Sequence, residues 1–241
     1  MTEEFEDEVK KFDYCDKVDL HALDHNIQIE KVVVIASEHG FRGVVVPHIY
    51  LESLVKAIKS NGNQELLPIC AVDYPFGSSS LDVRNYSIMS AKEKGAKEVE
   101  VVAPYHLIAN NDFKHVYDDA QNIISTAKKA NVGIKYVLDQ NGPFIDDAVR
   151  SKLARLISST RMPVVSTSLG YFESKVDHAD SIIKMRTMKS KSGASMKVYI
   201  SSQNVEDIAS YVKAGADIIG LPWNKAVYLI HEYEDLVQKK D

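Results

Sequence analysis

Apolar runs of strand length alternate with amphipathic helical stretches eight times along this chain, and that alternation constrains the fold more than any other feature. The strand segments cover residues 17–23, 43–47, 67–73, 98–104, 132–139, 163–168, 196–201 and 217–221. They are short and rich in Val and Ile, as expected of strands buried on both faces of a parallel sheet. Helical periodicity fills the intervals: 28–39, 51–61, 81–94, 112–130, 146–159, 176–189, 205–214 and 225–238. Strict alternation implies a parallel sheet, either open and doubly wound or closed. Eight units of similar size predict the α/β closed form, a single (β/α)8 TIM barrel, which 241 residues can build. Lys94-Gly95-Ala96-Lys97 recurs as Ala214-Gly215-Ala216-Asp217, each reading as helix, tight turn, strand. Residues 1–241 read as one domain, with 1–14 an N-terminal extension for which a short helix across the barrel bottom is the expectation.

Charge and composition narrow the function classes. The net charge of -5 and the absence of a long basic run argue against nucleic acid as a partner, because phosphate binding needs a basic surface. The acidic start is unlike a secretory signal, and no run of ~18 apolar residues is present to span a membrane. A cytoplasmic protein follows as the expectation. Cys15 and Cys70 lie in apolar segments, which suits reduced core thiols better than a disulfide framework. Neither a Gly-rich dinucleotide fingerprint nor a P-loop occurs. His21, His48 and His106 lie near strand ends without metal-ligand spacing. Trp223 is expected to pack against the barrel rim.

Strand parity exposes the chemistry, because alternate residues share a face. One face carries Asp19 and His21 in strand one, Glu98 and Glu100 in strand four, and Lys135 and Asp139 in strand five. It carries Ser166 and Ser168 in strand six, and Lys197, Tyr199 and Ser201 in strand seven. Barrel interiors are ordinarily filled by Val, Ile and Leu, and a buried unpaired charge is costly. These residues therefore form either a self-satisfied ion network of Asp19, Glu100 and Asp139 with Lys135 and Lys197, or a site near the C-terminal mouth. Two neighbouring lysines depress each other's basicity, and imine chemistry needs the neutral amine.

Several of these phrases resemble one enzyme family. Glu98-Val-Glu-Val-Val-Ala-Pro-Tyr-His106, Asn131-Val-Gly-Ile-Lys-Tyr-Val-Leu-Asp139, Asp73-Tyr-Pro-Phe-Gly77, Val164-Val-Ser-Thr-Ser-Leu-Gly170 and Met196-Lys197 with Val205-Glu-Asp207 resemble, in order, segments of deoxyribose-phosphate aldolase. Asp19 matches the aspartate of the family's opening strand. The resemblance implies an aldolase-type barrel performing class I, metal-free and cofactor-free cleavage of 2-deoxyribose 5-phosphate through a lysine Schiff base. The family's imine-forming lysine stands in a Lys-Thr-Ser-Thr-Gly phrase, where this chain has Ser166-Thr-Ser-Leu-Gly170; a hydroxyl forms no imine.

The resemblance assigns catalytic roles to Lys197, Glu100, Lys135, Asp139 and Asp19 around Ser166, with Lys197 the best substitute nucleophile. It assigns phosphate or sugar contacts to Ser168, Gly170, Ser201, Ser202 and Asn224. Ile200 and Pro222 stand where the family presents small residues and backbone donors, and Pro has no N–H to give. A different enzyme on the same scaffold is an open reading, since fold does not fix function, and two more specific functions also remain open. One is retro-aldol chemistry on a 2-deoxy sugar or its phosphate with a relocated lysine. The other is a catalytically impaired pseudoenzyme, a sugar-binding or regulatory subunit that assembles with itself or with an active relative.

Overall fold

The computed structural model describes residues 17–139, 145–171, 187, 193–200 and 205–238. The extension at 1–14, Cys15, and nearly all of the helical stretch expected at 176–189 lie outside the described residues. Eight parallel strands close a barrel: β1 (Val18–His21), β2 (Gly43–Pro47), β3 (Leu67–Val72), β4 (Glu98–Val102), β5 (Gly133–Val137), β6 (Val164–Ser166), β7 (Ser195–Tyr199) and β8 (Ile218–Pro222). Each strand pairs with the next, and β8 returns to β1 with Asp19 opposite Gly220. The strands are shorter than the apolar runs predict: β5 and β6 stop before Asp139 and Ser168. Residues expected at strand ends therefore stand in the loops of the mouth.

The helices are α1 (Ile29–Glu38), α2 (Leu51–Asn61), α3 (Leu81–Glu93), α4 (Tyr105–Ala109), α5 (Phe113–Ala130), α6 (Asp147–Thr160), α7 (Val205–Lys213) and α8 (Ala226–Gln238). The short α4 is additional to the sequence reading. The α5 helix shows why these segments fold as they do. Val116, Ala120, Ile123 and Ala127 recur at helical spacing and are buried, while Asp112 caps the start by accepting from the His115 backbone N–H at 3.3 Å. Asp146 caps α6 in the same way, through Val149 N–H at 2.8 Å. The repeated Gly95 and Gly215 both take positive φ, 100° and 92°, which ends a helix at little steric cost.

Strand parity divides the core in two. Val18, Leu20, Val44, Val46, Val99, Val101, Val165 and Val198 face outward into the helical shell. Val45, Ile69, Ala71, Val102, Val137 and Leu169 form a separate, smaller apolar cluster inside the barrel. Burying each Val, Ile or Leu side chain contributes about 1.5–3 kcal/mol, so the shell supplies most of the stability and the lumen can carry charge. No helix among the described residues is long and apolar enough to cross a membrane.

Candidate active site

Asp19, Glu100, Lys135 and Lys197 meet inside the barrel, all fully buried or nearly so. Lys135 Nζ lies 2.8 Å from Asp19 Oδ2 and 3.1 Å from Glu100 Oε1. Lys197 Nζ donates to the same two oxygens, at 2.9 Å to Asp19 and more tightly to Glu100. Glu98, at the N-terminal end of β4, adds a contact to Lys135 at 2.7 Å. Arg42, just before β2, reaches Asp19 Oδ1 at 2.8 Å and also binds Glu98. Three cations thus face three carboxylates. Sequence reasoning missed Arg42.

The electrostatics follow from this pairing. Burial alone would push the Asp19 carboxyl upward, but Lys135, Lys197 and Arg42 outweigh it and hold the group well below the usual carboxylate range. Burial would likewise lower Lys135, yet Asp19, Glu100 and Glu98 hold it above the ordinary lysine value. Glu98 is lowered, with Lys135 and Arg42 overcoming its desolvation.

Above this layer, toward the mouth, the expected site residues separate. Ser166 pairs in register with Lys197, but its hydroxyl donates to the Ser168 carbonyl at 3.0 Å. Asp139, expected beside the lysines, accepts from the Ser168 hydroxyl at 2.8 Å, two residues beyond the end of β5. Ser168 Oγ also accepts from Gly170 N–H at 2.8 Å, so the Gly170 donor expected for phosphate is engaged within the loop. Gly170 has φ 83°, and a Cβ there would lie 2.3 Å from Tyr199 Cε1. The Tyr199 ring thus occupies the corner beside Gly170. Ser201 and Ser202 lie outside the described residues, and Asn224 is exposed. Trp223 packs at the rim with its indole N–H 3.1 Å from Asp24. The three histidines singled out in the sequence do not gather: among the described residues no group of three or more His, Cys, Asp or Glu side chains is placed to hold a metal ion.

His21 projects from β1 into the same lumen, its ring 4.6 Å from that of Tyr199 and tilted by 44°. Burial, reinforced by the charge of Lys197, lowers the imidazole well below its ordinary range, with Asp19 opposing; the ring is neutral near pH 7. Strand parity places His21 beside Asp19, but its environment depends on β7 and β8.

A second buried cluster supports the mouth from outside the barrel. Arg84 of α3 binds Asp119 of α5 and the Val102 carbonyl at the end of β4. Its Nε lies 3.3 Å from Asp73, which in turn accepts from Ser79 N–H and Oγ. The Tyr136 hydroxyl completes the group, donating to Asp119 at 2.7 Å. This clamp fixes the turn that carries Tyr74 and Phe76, whose rings flank Tyr171 across the mouth at 6.1 and 5.0 Å.

A closed parallel barrel with paired lysines and carboxylates in its lumen defines the class: an aldolase-type (β/α)8 barrel. No family model matches the chain. It is 27% identical to the deoxyribose-phosphate aldolase of Aeropyrum pernix over 212 residues, covering 87% of this chain and 84% of that protein. It is 25% identical to the deoxyribose-phosphate aldolase of Natranaerobius thermophilus over 193 residues, covering 80% and 84%. The solved structure described as a unique tetrameric form of the Aeropyrum pernix enzyme superposes with a TM-score of 0.78 at 22% identity, over 98% of this chain and 99% of that one. The chain is a distant relative of the deoxyribose-phosphate aldolase family.

Proposed function

We propose that this chain is an aldolase-type barrel that binds a small polyhydroxy aldehyde of the 2-deoxy-sugar class in its lumen, while the imine-based retro-aldol reaction is weak or absent. The observation that carries the reading is the shared commitment of Lys135 and Lys197 to Asp19 Oδ2 and Glu100 Oε1. Imine formation needs an amine with a free electron pair. Ser166 has none to offer, and Lys197 would first have to leave two buried carboxylates, a rupture that costs about 3–5 kcal/mol for a buried pair. In residual turnover Lys197 is the nucleophile, Lys135 the neighbouring cation, and Glu100 or Asp139 the acid–base group. The Gly170 N–H is engaged and Pro222 has no N–H, so an ester phosphate adds little to affinity.

Acetaldehyde release from 2-deoxyribose 5-phosphate, followed by NMR, tests this reading. Turnover is expected near background in the natural chain and measurable in Ser166→Lys. Robust turnover by the natural chain contradicts the proposal.

A subunit role is the second reading. Helix α3 exposes Val83, Tyr86 and Met89 at three-residue spacing, one continuous apolar stripe, and the Aeropyrum pernix relative is described as tetrameric. A second copy of this chain is the occupant we assign to that stripe. Light scattering should give an oligomer that Tyr86→Glu dissociates; a monomer at micromolar concentration contradicts this reading.

A further inference from the structure

The lumen holds two buried polar groups that the ion network leaves unused. Glu100 Oε2 has no hydrogen-bond partner among the described residues, and neither ring nitrogen of His21 has one. The Leu169 backbone lies near enough to favour a protonated ring slightly, without completing a hydrogen bond. A buried polar group without a partner costs about 1–3 kcal/mol, and an apolar side chain of the same shape avoids that cost. An imidazole at this position therefore stands out against Phe or Leu.

Gly220 lets three side chains close in on one point. A Cβ at Gly220 would lie 2.8 Å from His21 Nε2, 3.1 Å from Lys197 Cε and 3.2 Å from Tyr199 Cδ2. Any larger residue would fill the point where histidine, lysine and tyrosine converge. Tyr199 backs the imidazole on one side, which restricts ring rotation and fixes the direction of its nitrogens.

We propose that His21 is a ligand-holding residue, whose lumen-facing ring nitrogen takes a hydroxyl or carbonyl oxygen of a small uncharged sugar bound beside Lys197. The assignment rests on the proposed binding of a polyhydroxy aldehyde in the lumen. The chemistry of the ring selects that ligand class. A neutral imidazole offers one donor and one acceptor, which matches a hydroxyl that both donates and accepts. An anion would be served by a cation, and burial, reinforced by Lys197, keeps this ring uncharged. The orphaned Glu100 Oε2 supplies a second acceptor for a ligand hydroxyl in the same lumen.

The test is calorimetric titration of 2-deoxyribose into the natural chain, His21→Phe and His21→Gln, with thermal unfolding of each. His21→Phe keeps a ring against Tyr199 and removes both nitrogens. It is expected to match or exceed the natural Tm while binding 2-deoxyribose about 3- to 10-fold more weakly, the loss of one or so hydrogen bonds. His21→Gln, which retains a donor and an acceptor, is expected to stay within about 3-fold of the natural chain on the same scale. Should His21→Phe not fold, 15N NMR of the histidine ring in the natural chain decides: a shift of the His21 nitrogens on adding 2-deoxyribose supports the assignment, and no shift overturns it. Phe binding as well as His also overturns it. Absence of any 2-deoxyribose binding by the natural chain overturns the lumen-binding reading itself.

Discussion

Lys197 stands opposite Ser166 in the β6–β7 register, yet its Nζ is bound to Asp19 Oδ2 at 2.9 Å on the far side of β8. The position where relatives are expected to carry a nucleophile is a hydroxyl turned into its own loop. The amine beside it belongs to an ion network. Burial opposes the charge of Lys135, but Asp19, Glu100 and Glu98 hold that amine above the ordinary lysine value.

Asp19 accepts from all three cations of that network, Arg42, Lys135 and Lys197. Asp19→Ala leaves three cations facing Glu98 and Glu100 in a largely buried network. A loss of about 3–5 kcal/mol is expected, read from urea unfolding at constant m-value. A loss below about 1 kcal/mol would mean that water or neighbouring groups compensate the charge.

Acid sensitivity follows from two depressed groups. His21 titrates below 6.5 in the folded chain, so its contribution is complete above that value and is lost as pH falls through the lower folded value. Asp19 behaves in the same sense but below 3.8. Stability should therefore decline on acidification in two stages, the first beginning near pH 6.5, to which the lowered and partly buried His48 also contributes. His21→Phe should flatten the first stage and leave the second. An unchanged first stage in this variant would assign it to His48 or to other histidines.

How much of this was legible in the sequence depends on parity. Val/Ile-rich runs between helical patterns specify the barrel, and Asp19, Glu100, Lys135 and Lys197 share the inner face by simple alternation. Arg42 was not legible for the same reason: counting back from Gly43 puts it on the outer face, and only its long side chain, entering beneath the strands, brings it to Asp19. Asp139 lies on the predicted face, but β5 ends before it and a serine from the next loop takes its carboxylate. The surroundings of His21 are set by a glycine and a tyrosine about 180 to 200 positions away in the chain, beyond the reach of local pattern.

Arg84 is expected to be a stability determinant of the mouth. Arg84→Met removes the partner of Asp119 and Asp73 and the donor to Val102 O, and should cost about 3–5 kcal/mol. Tyr136→Phe removes one hydrogen bond to the same carboxylate and should cost about 1–3 kcal/mol. Chemical denaturation of both variants checks the order; equal losses would contradict the clamp.

Phosphate should matter little to recognition. Calorimetry is expected to give 2-deoxyribose 5-phosphate and 2-deoxyribose affinities within about 3-fold of each other, less than the ~1.4 kcal/mol of a tenfold difference. A preference of a hundredfold for the ester would show that a phosphate cradle exists beyond the donors described.

The central claim, that no lysine of this lumen is free to form an imine, is tested most directly by borohydride trapping with acetaldehyde near neutral pH, read by intact mass and peptide mapping. No lumen adduct is expected in the natural chain, and a single lumen adduct at position 166 in Ser166→Lys. An adduct on the natural chain that maps to Lys197 and disappears in Lys197→Ala would contradict it.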